Sequence, residues 1–575
     1  MATNVQQEVL EKARKWLDSP LVDNDTKSEI RELMSRPDSK VLIDSFYKDL
    51  EFGTGGLRGI MGPGSNCVNR YTIGVATQGF ANYLVKSFSG QKVTIAIAYD
   101  SRNNSGQLAQ IAANVLSANG IHVKLFSELR PTPLLSFAIR YLHCQGGIVI
   151  TASHNPKEYN GYKVYWSDGA QVVPPHDGNI IREVKAITDF AQVKFDPVPE
   201  NITPIGPEVE DAYYAEVLKL IPNGDAIKKH HDIPLVYSSL HGAGITMVPE
   251  CLRRVGFTNV HVVEEQRQPD GDFPTVKSPN PEEKSAMEMA IAKGLAVNAT
   301  MVMATDPDTD RVGIGVRNNA GEFILLDGNQ AFSLLMQFLL KHAGKASGYI
   351  AKTIVTTELV DIMAERYGIT CYNTLTGFKY IAELMGRLEG KEQFIAAGEE
   401  SYGYMVGDFV RDKDAVSACA FFAAIAASAA EENKSIYDSL IDMYLEFGMY
   451  RERLITLTRT GREGEQAIRT MMENFRSRAP EQIAGQRVVR ALDYKTGVEV
   501  NLESGKKSKI ELPVSDVLQF YLEDGSKISV RPSGTEPKIK FYFSVNTTLS
   551  SADEYEQTSR ELEERIDKIE AALMG

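Results

Sequence analysis

Cysteine is scarce in this chain of 575 residues: Cys67, Cys144, Cys251, Cys371 and Cys419 lie far apart, with no Cys-x-x-Cys pair. That spacing argues against a disulfide framework or a cysteine-built zinc cluster and fits a reducing compartment. No run reaches the roughly 18 uninterrupted apolar residues needed to span a bilayer. The nearest, Ala415 to Ala430, is short, rich in Ala and Ser, and reads as a helix buried in a domain. The opening MATNVQQEVLEKARKWLD lacks the apolar core of a secretory signal, so a cytoplasmic protein with no membrane partner is expected. Positive charge is short as well: 62 Lys and Arg stand against 76 Asp and Glu, a formal net charge of −14. An acidic surface argues against nucleic acid or an anionic membrane as partner. A phosphate-bearing substrate would therefore need Arg and Lys gathered locally, against the overall sign.

What the chain does hold is an alternation of short apolar runs with helix-like segments. The length suits roughly three to five domains. Residues 1 to about 40 place Val5, Val9, Leu10, Ala13, Trp16 and Leu17 at helical spacing. Strand-like runs follow at Val93–Tyr99, His122–Phe126 and Gly147–Ile150, with a helical pattern at Gly106–Asn119. The rhythm returns at Leu235–Ser238, Val260–Val263, Thr300–Ala304, Tyr349–Ala351 and Phe394–Ala397, which predicts α/β layers. The last stretch differs. Strands at Lys527–Val530 and Ile539–Val545 and a charged helix over Ser551–Met574 predict an α+β domain.

Four motifs follow strand-like runs, at the strand ends where ligands of α/β sheets gather. Thr151-Ala-Ser-His-Asn-Pro-Lys-Glu-Tyr-Asn-Gly-Tyr-Lys163 puts His154 beside Ser153 and Lys163 ten residues on. A serine hydroxyl needs a base or a metal before it is a useful nucleophile. Asp306-Pro-Asp-Thr-Asp-Arg311 carries three carboxylates at alternate positions, able to converge on one hard cation and leave sites open for a phosphate oxygen. Gly398-Glu-Glu-Ser-Tyr-Gly-Tyr404 offers carboxylate acceptors suited to vicinal sugar hydroxyls. Arg531-Pro-Ser-Gly-Thr-Glu-Pro-Lys538 combines a forked cation, two hydroxyls and an open backbone, the makings of a phosphate cradle. Gly53-Thr-Gly-Gly-Leu-Arg-Gly59 is Gly-rich but is no Walker loop and no clear strand leads into it; Thr376-Gly-Phe-Lys379 reads as a turn and Arg411-Asp-Lys-Asp414 as a helix start.

Taken in order, these segments resemble the α-D-phosphohexomutase superfamily, above all its phosphoglucomutase/phosphomannomutase members of the longer, phosphopentomutase-like bacterial type. The resemblance runs from about residue 40 to the C-terminal region. It implies three similar α/β mixed-sheet domains plus a C-terminal α+β phosphate-binding domain around a central cleft. The expected divisions are 1–205 (N-terminal helices and the phosphoserine loop), 206–320 (the metal loop), 321–450 (the sugar loop) and 451–575 (the phosphate loop). By this likeness Ser153 carries the phosphoryl group. Asp306, Asp308 and Asp310 hold Mg²⁺ together with the serine phosphate. Arg58, His154, Lys163 and Arg311 surround the transferring group, and Lys163 is a candidate general base if its surroundings lower its pKa. Glu399 and Ser401 match the grip on the sugar hydroxyls, and Arg531, Ser533, Gly534 and Thr535 the clamp on the distal phosphate. Thr376, Gly377, Lys379 and Lys413 match substrate-binding positions more loosely.

The implied activity is interconversion of glucose 1-phosphate and glucose 6-phosphate through glucose 1,6-bisphosphate, by a cytoplasmic monomer or weak homodimer. Glu400, where other branches carry Met or Gln, favours glucose, while Tyr402 and Tyr404 look like the pentomutase-like branch. Phosphopentomutase and phosphomannomutase remain alternatives on the same scaffold. A metal-dependent sugar phosphatase built on the Asp306 loop is the rival of a different class, and a non-catalytic sugar-phosphate sensor is another.

Overall fold

A computed structural model describes residues 2–53, 55–342, 347–459, 461–533 and 538–574. The chain forms two compact units. One comprises Met1–Leu326, Phe378–Ala396 and Ser401–Glu431; the other comprises Asp327–Gly377, Ala397–Glu400 and Glu432–Gly575.

The first unit opens with helices Ala2–Asp18, Asn24–Ser35 and Lys40–Phe46. Their apolar positions bury Val9, Ala13, Trp16, Ile30, Leu33 and Phe46 in one cluster. The rings of Phe46, Tyr71 and Phe190 meet the Trp16 ring edge-on, centred 5.8, 5.3 and 5.1 Å away. Asp23 caps the second helix by accepting from Thr26 N at 2.8 Å and accepts the Tyr71 hydroxyl at 2.6 Å. That second bond ties the helices to the long helix Arg70–Ser87.

Two sheets follow in this unit. The first runs Gly56–Ile60, Tyr159–Trp166, Gly146–Ile150, Thr94–Tyr99, His122–Leu125, Ile202–Pro204. Its first two junctions are antiparallel and the rest parallel. The second runs Phe323–Leu326, Val312–Arg317, Met301–Thr305, Leu235–Ser238, Val260–Val262 and repeats the pattern: two antiparallel junctions, then two parallel. Every residue of Gly146–Ile150 and of Met301–Thr305 is buried, as expected of inner strands covered on both faces. In each sheet that inner strand leaves its C-terminal end, forms a loop, and returns antiparallel beside itself. The two loops are 151–158 and 306–311.

The Gly-rich segment near Arg58 departs from expectation. It contains a strand, Gly56–Ile60, paired with Tyr159–Lys163 so that Arg58 lies opposite Gly161. The approach is too close for side chains: a Cβ on Gly56 (φ +135°) would lie 1.8 Å from the Tyr162 carbonyl oxygen, and one on Gly161 2.6 Å from that of Thr151. Low strand propensity in the glycines concealed an element that only glycines permit.

The second unit contains helix Gly328–His342 and the parallel pair Tyr349–Thr353 and Thr370–Thr374, joined through helix Leu359–Tyr367. It also holds an antiparallel sheet in the order Met449–Thr458, Lys538–Thr547, Lys527–Pro532, Leu518–Leu522, Gln486–Asp493, Val498–Asn501, Lys507–Lys509, covered by helix Tyr555–Met574. The two parts meet at the turn after Thr353. Gln519 Nε2 donates to the Ile354 carbonyl at 2.7 Å, buried Lys527 Nζ lies 3.3 Å from the Thr356 carbonyl, and the Tyr521 hydroxyl donates to Glu358 at 2.9 Å. The outermost strand, Lys507–Lys509, is exposed at all three residues.

Candidate functional site

Within the first unit, the loops after Ile150 and Thr305 meet. Ser153 is 3% exposed and adopts a left-handed backbone (φ +52°). Its hydroxyl donates to Asp306 Oδ2 at 2.8 Å and lies 3.2 Å from His154 Nδ1. Burial, then the charges of Arg311 and Arg58, push the His154 pKa well below the usual histidine value, so its imidazole is neutral at pH 7. Arg58 Nη1 donates to Asn155 Oδ1 at 3.1 Å, which places that guanidinium beside the serine loop.

The three aspartates converge. One ligand oxygen from each of Asp306, Asp308 and Asp310 lies within 4.8 Å of the others, and all three residues are buried. Asp306 Oδ1 accepts the amides of Asp310 and Arg311 at 3.1 and 3.0 Å, which wraps the loop around it. Buried Asp308 Oδ1 and Asp310 Oδ1 have no hydrogen-bond partner among the described residues. Unsatisfied buried carboxylate oxygens are costly, and an all-oxygen donor set of this kind suits a hard divalent cation. The electrostatics agree. Burial and the charges of Asp308 and Asp310 push the Asp306 carboxyl far up; Asp308 and Asp310 are burdened by burial too but held low, chiefly by Lys163 and Lys413.

Lys163 Nζ lies 2.8 Å from Asp308 Oδ2 and 3.5 Å from Asp310 Oδ2. Burial pulls its pKa down, but the two carboxylates outweigh burial and hold it above the ordinary lysine value. The lowered pKa expected of a general base is therefore not found with the aspartates as they stand. Lys413 Nζ sits 3.1 Å from both Asp310 Oδ2 and Asp412 Oδ1. The stretch Arg411–Asp414 does precede a helix, Ala415–Glu431, and Asp414 accepts the Val416 and Ser417 amides at 3.0 and 3.1 Å. It is thus both a helix start and a contributor to the aspartate cluster. Arg311 pairs with Glu282, and its Nε lies 3.8 Å from Asp310 Oδ1. Lys379, on helix Phe378–Leu388, has its ammonium 5.1 Å from the Tyr380 ring centre. Ser401, in the turn before strand Gly403–Val406, is half-buried.

In the second unit, Glu399 Oε1 accepts the Gly377 amide at 2.9 Å, and Gly377 sits at φ +114° next to Thr376. Glu400 turns the other way: its Oε2 accepts the hydroxyls of Thr353 and Thr356 at 3.1 and 3.0 Å. Arg531 is half-buried in strand Lys527–Pro532, opposite Lys540, and the Ser533 amide donates to the Lys538 carbonyl at 2.8 Å. Gly534 and Thr535 lie outside the described residues.

Phosphoglucomutase/phosphomannomutase family models match in chain order: alpha/beta/alpha domain I at residues 49–190, domain II at 211–321, domain III at 327–444 and the C-terminal domain at 472–562. The phosphoglucomutase of Staphylococcus haemolyticus (strain JCSC1435) is 37% identical over 522 residues, 90% of this chain and 93% of that protein. The chain belongs to the phosphoglucomutase/phosphomannomutase family. A phosphoglucomutase of Staphylococcus epidermidis (strain ATCC 12228 / FDA PCI 1200) is 33% identical over 94% of the chain and 98% of its own length. Among solved structures, the open form of the Paramecium phosphoglucomutase pp63/parafusin shares the fold with a TM-score of 0.67 at 20% identity, covering 88% of this chain and 92% of its own. A phosphomannomutase-like protein of Thermus thermophilus shares it at 0.65 and 22%, covering 90% and 99%.

Sequence reasoning passed over several residues that contact this cluster. Asp100 and Arg102 lie behind the serine loop: Arg102 Nη2 donates to the Ser153 carbonyl at 2.6 Å and the Thr151 hydroxyl to Asp100 Oδ2 at 2.6 Å. Both follow strand Thr94–Tyr99 at its C-terminal end, so the rule that singled out Ser153 applied to them equally. Tyr165, whose hydroxyl donates to Asp412 Oδ2 at 2.7 Å, and Thr132, whose hydroxyl donates to Asp308 Oδ2 at 3.1 Å, carried no signal of their own.

Proposed function

We propose that the protein interconverts glucose 1-phosphate and glucose 6-phosphate through a phosphoryl group carried on Ser153 and a glucose 1,6-bisphosphate intermediate. The observation that carries this reading is the Ser153 hydroxyl 2.8 Å from Asp306 Oδ2, at the rim of a buried three-aspartate cluster. The relatives named phosphoglucomutase, at 33–37% identity over most of the chain, support glucose as the sugar.

In the first half-reaction, one hydroxyl oxygen of the bound monophosphate bonds to the phosphorus as the bond from Ser153 Oγ to phosphorus breaks, and the hydroxyl's proton ends on Ser153 Oγ. The bisphosphate then turns end over end and its other phosphate returns to Ser153. Asp306, Asp308 and Asp310 would hold Mg²⁺, which supplies positive charge beside the transferring oxygens when bound. Phosphoryl transfer depends mostly on positioning and charge stabilisation. Arg58, Lys163 and Arg311 add charge around the serine, while neutral His154 exchanges a hydrogen bond with its oxygen. Glu399 and Ser401 grip the sugar hydroxyls, with Thr376, Gly377, Lys379 and Lys413 nearby in role. Arg531, Ser533, Gly534 and Thr535 hold the phosphate that is not reacting. Glu400, engaged by Thr353 and Thr356, shapes the sugar loop from behind.

The test joins two measurements. With Mg²⁺ and glucose 1,6-bisphosphate present, kcat/KM should be highest for glucose 1-phosphate among glucose, mannose and ribose 1-phosphates. Acid-stable phosphate should appear on Ser153, and Ser153→Ala should lower turnover at least about 1,000-fold. Release of inorganic phosphate without isomerisation would instead favour the phosphatase. Near-normal turnover by Ser153→Ala would end the covalent reading.

A further inference from the structure

We propose that Arg102 is a positioning residue for phosphoryl transfer, fixing the backbone of Ser153 from behind and thereby aiming the serine oxygen at the aspartates. The proposal rests on the reading of Ser153 as the phosphoryl carrier.

The Arg102 side chain has no solvent exposure and lies inside the loop it serves. Its planar fork donates to four main-chain carbonyls: Nη1 to Pro156 at 2.9 Å and Tyr159 at 3.0 Å, Nη2 to Ser153 at 2.6 Å and to Asn155. Buried carbonyls need donors, and one guanidinium supplies them to three residues of the loop and to Tyr159 at the start of the returning strand. A lysine, with a single compact ammonium, cannot reproduce that fork.

The other end of Ser153 is held by the same device. The Ser153 amide donates to Thr151 Oγ1 at 2.8 Å, and the Thr151 hydroxyl donates to Asp100 Oδ2 at 2.6 Å. That carboxylate lies 3.4 Å from Arg102 Nε and accepts the Arg102 amide at 3.0 Å and the Ser105 hydroxyl at 2.8 Å through Oδ1. Both the N–H and the C=O of Ser153 thus trace back to the Asp100–Arg102 pair. A left-handed serine is strained and persists only where its surroundings over-determine it. The pair also has little room to shift. The Phe273 ring centre lies 5.2 Å from the guanidinium, and a Cβ on Gly271 would fall 2.2 Å from the Asn103 amide nitrogen. Arg102 acts on the main chain of the loop, through Ser153 rather than on the substrate itself.

The experiment compares the wild-type enzyme with Arg102→Lys in two readouts: the rate at which glucose 1,6-bisphosphate deposits acid-stable phosphate on Ser153, and the split between kcat and KM. A misaimed serine should slow phosphate deposition and kcat together, by about 30-fold or more, with KM for glucose 1-phosphate within about threefold of wild type. A variant that merely loosens the fold would lower the melting temperature and leave the deposition rate alone; that result overturns the proposal. If Arg102→Lys gives no cooperative melt, Asp100→Asn is the second variant. It keeps the guanidinium but weakens its alignment, and a wild-type deposition rate there overturns the proposal equally. Failure of the wild-type enzyme to take up phosphate on Ser153 would count against the mutase reading itself.

Discussion

Lys413 crosses Gly403 so closely that a Cβ at 403 would lie 2.0 Å from Lys413 Cδ. The lysine that reaches Asp310 therefore depends on a missing side chain ten residues earlier. Gly403→Ala should displace Lys413, lower kcat about tenfold or more and cost about 1–3 kcal/mol of stability; urea unfolding alongside steady-state kinetics would read both, and unchanged kinetics would show that Lys413 tolerates displacement. At this scale the sequence was generous where a residue carries its own chemistry. Ser153, Asp306, Asp308 and Asp310 announce a nucleophile and a cation site by type and spacing, and the structure brings them together. Arg102 stood at a strand end like Ser153, but its action on main-chain carbonyls, like that of Asp412 on another side chain, has no mark in the linear order.

The element that matters most to Arg58 is the strand Gly56–Ile60, which Gly56 on one side and Gly161 on the other let close on Tyr159–Trp166. A methyl on Gly161 would meet the Thr151 and Leu57 carbonyl oxygens at 2.6 and 2.7 Å. Gly161→Ala should push these strands apart, destabilise the fold by about 1–3 kcal/mol and raise KM through a displaced Arg58. A chemical denaturation curve and a substrate titration would check it, and a wild-type KM in a destabilised variant would separate the strand from the site. The inner strands were legible because burial on both faces leaves an uninterrupted apolar run, as in Gly146–Ile150 and Met301–Thr305. Val498–Asn501, only four residues long, and Lys507–Lys509, polar and exposed throughout, were not, and their pairing is dictated by neighbours in the sheet. The strand at Arg58 was hidden by the same glycines that permit it.

Whole-molecule stability should carry a pH dependence from the second unit. Glu452, which accepts the Ser544 hydroxyl at 3.2 Å, is pushed up to about 8, by burial first and by the charge of Asp327 second, from an ordinary 4.5. Between those values the native state keeps a proton that the unfolded chain releases, so this group's contribution falls as pH rises. Glu452→Gln keeps the neutral form throughout. Its melting temperature should match wild type near pH 5 and exceed it progressively up to pH 8; a pH-independent gap would show that the carboxyl titrates normally. The recurrence of strand, loop and helix made α/β layers legible at this scale, and four domains in order were what the family resemblance implied and the family models match. How half-buried acids such as Glu452 and Asp327 come to share a neighbourhood was not legible, because contacts across more than 100 residues leave no local trace. The C-terminal sheet, finally, stops on Lys507-Ser-Lys509, and an unpaired strand edge normally invites another strand to add on. Here any newcomer must bring its backbone alongside ammonium groups that repel their own kind, so polymerisation through this rim is discouraged by charge, and that protection should weaken as added salt screens it.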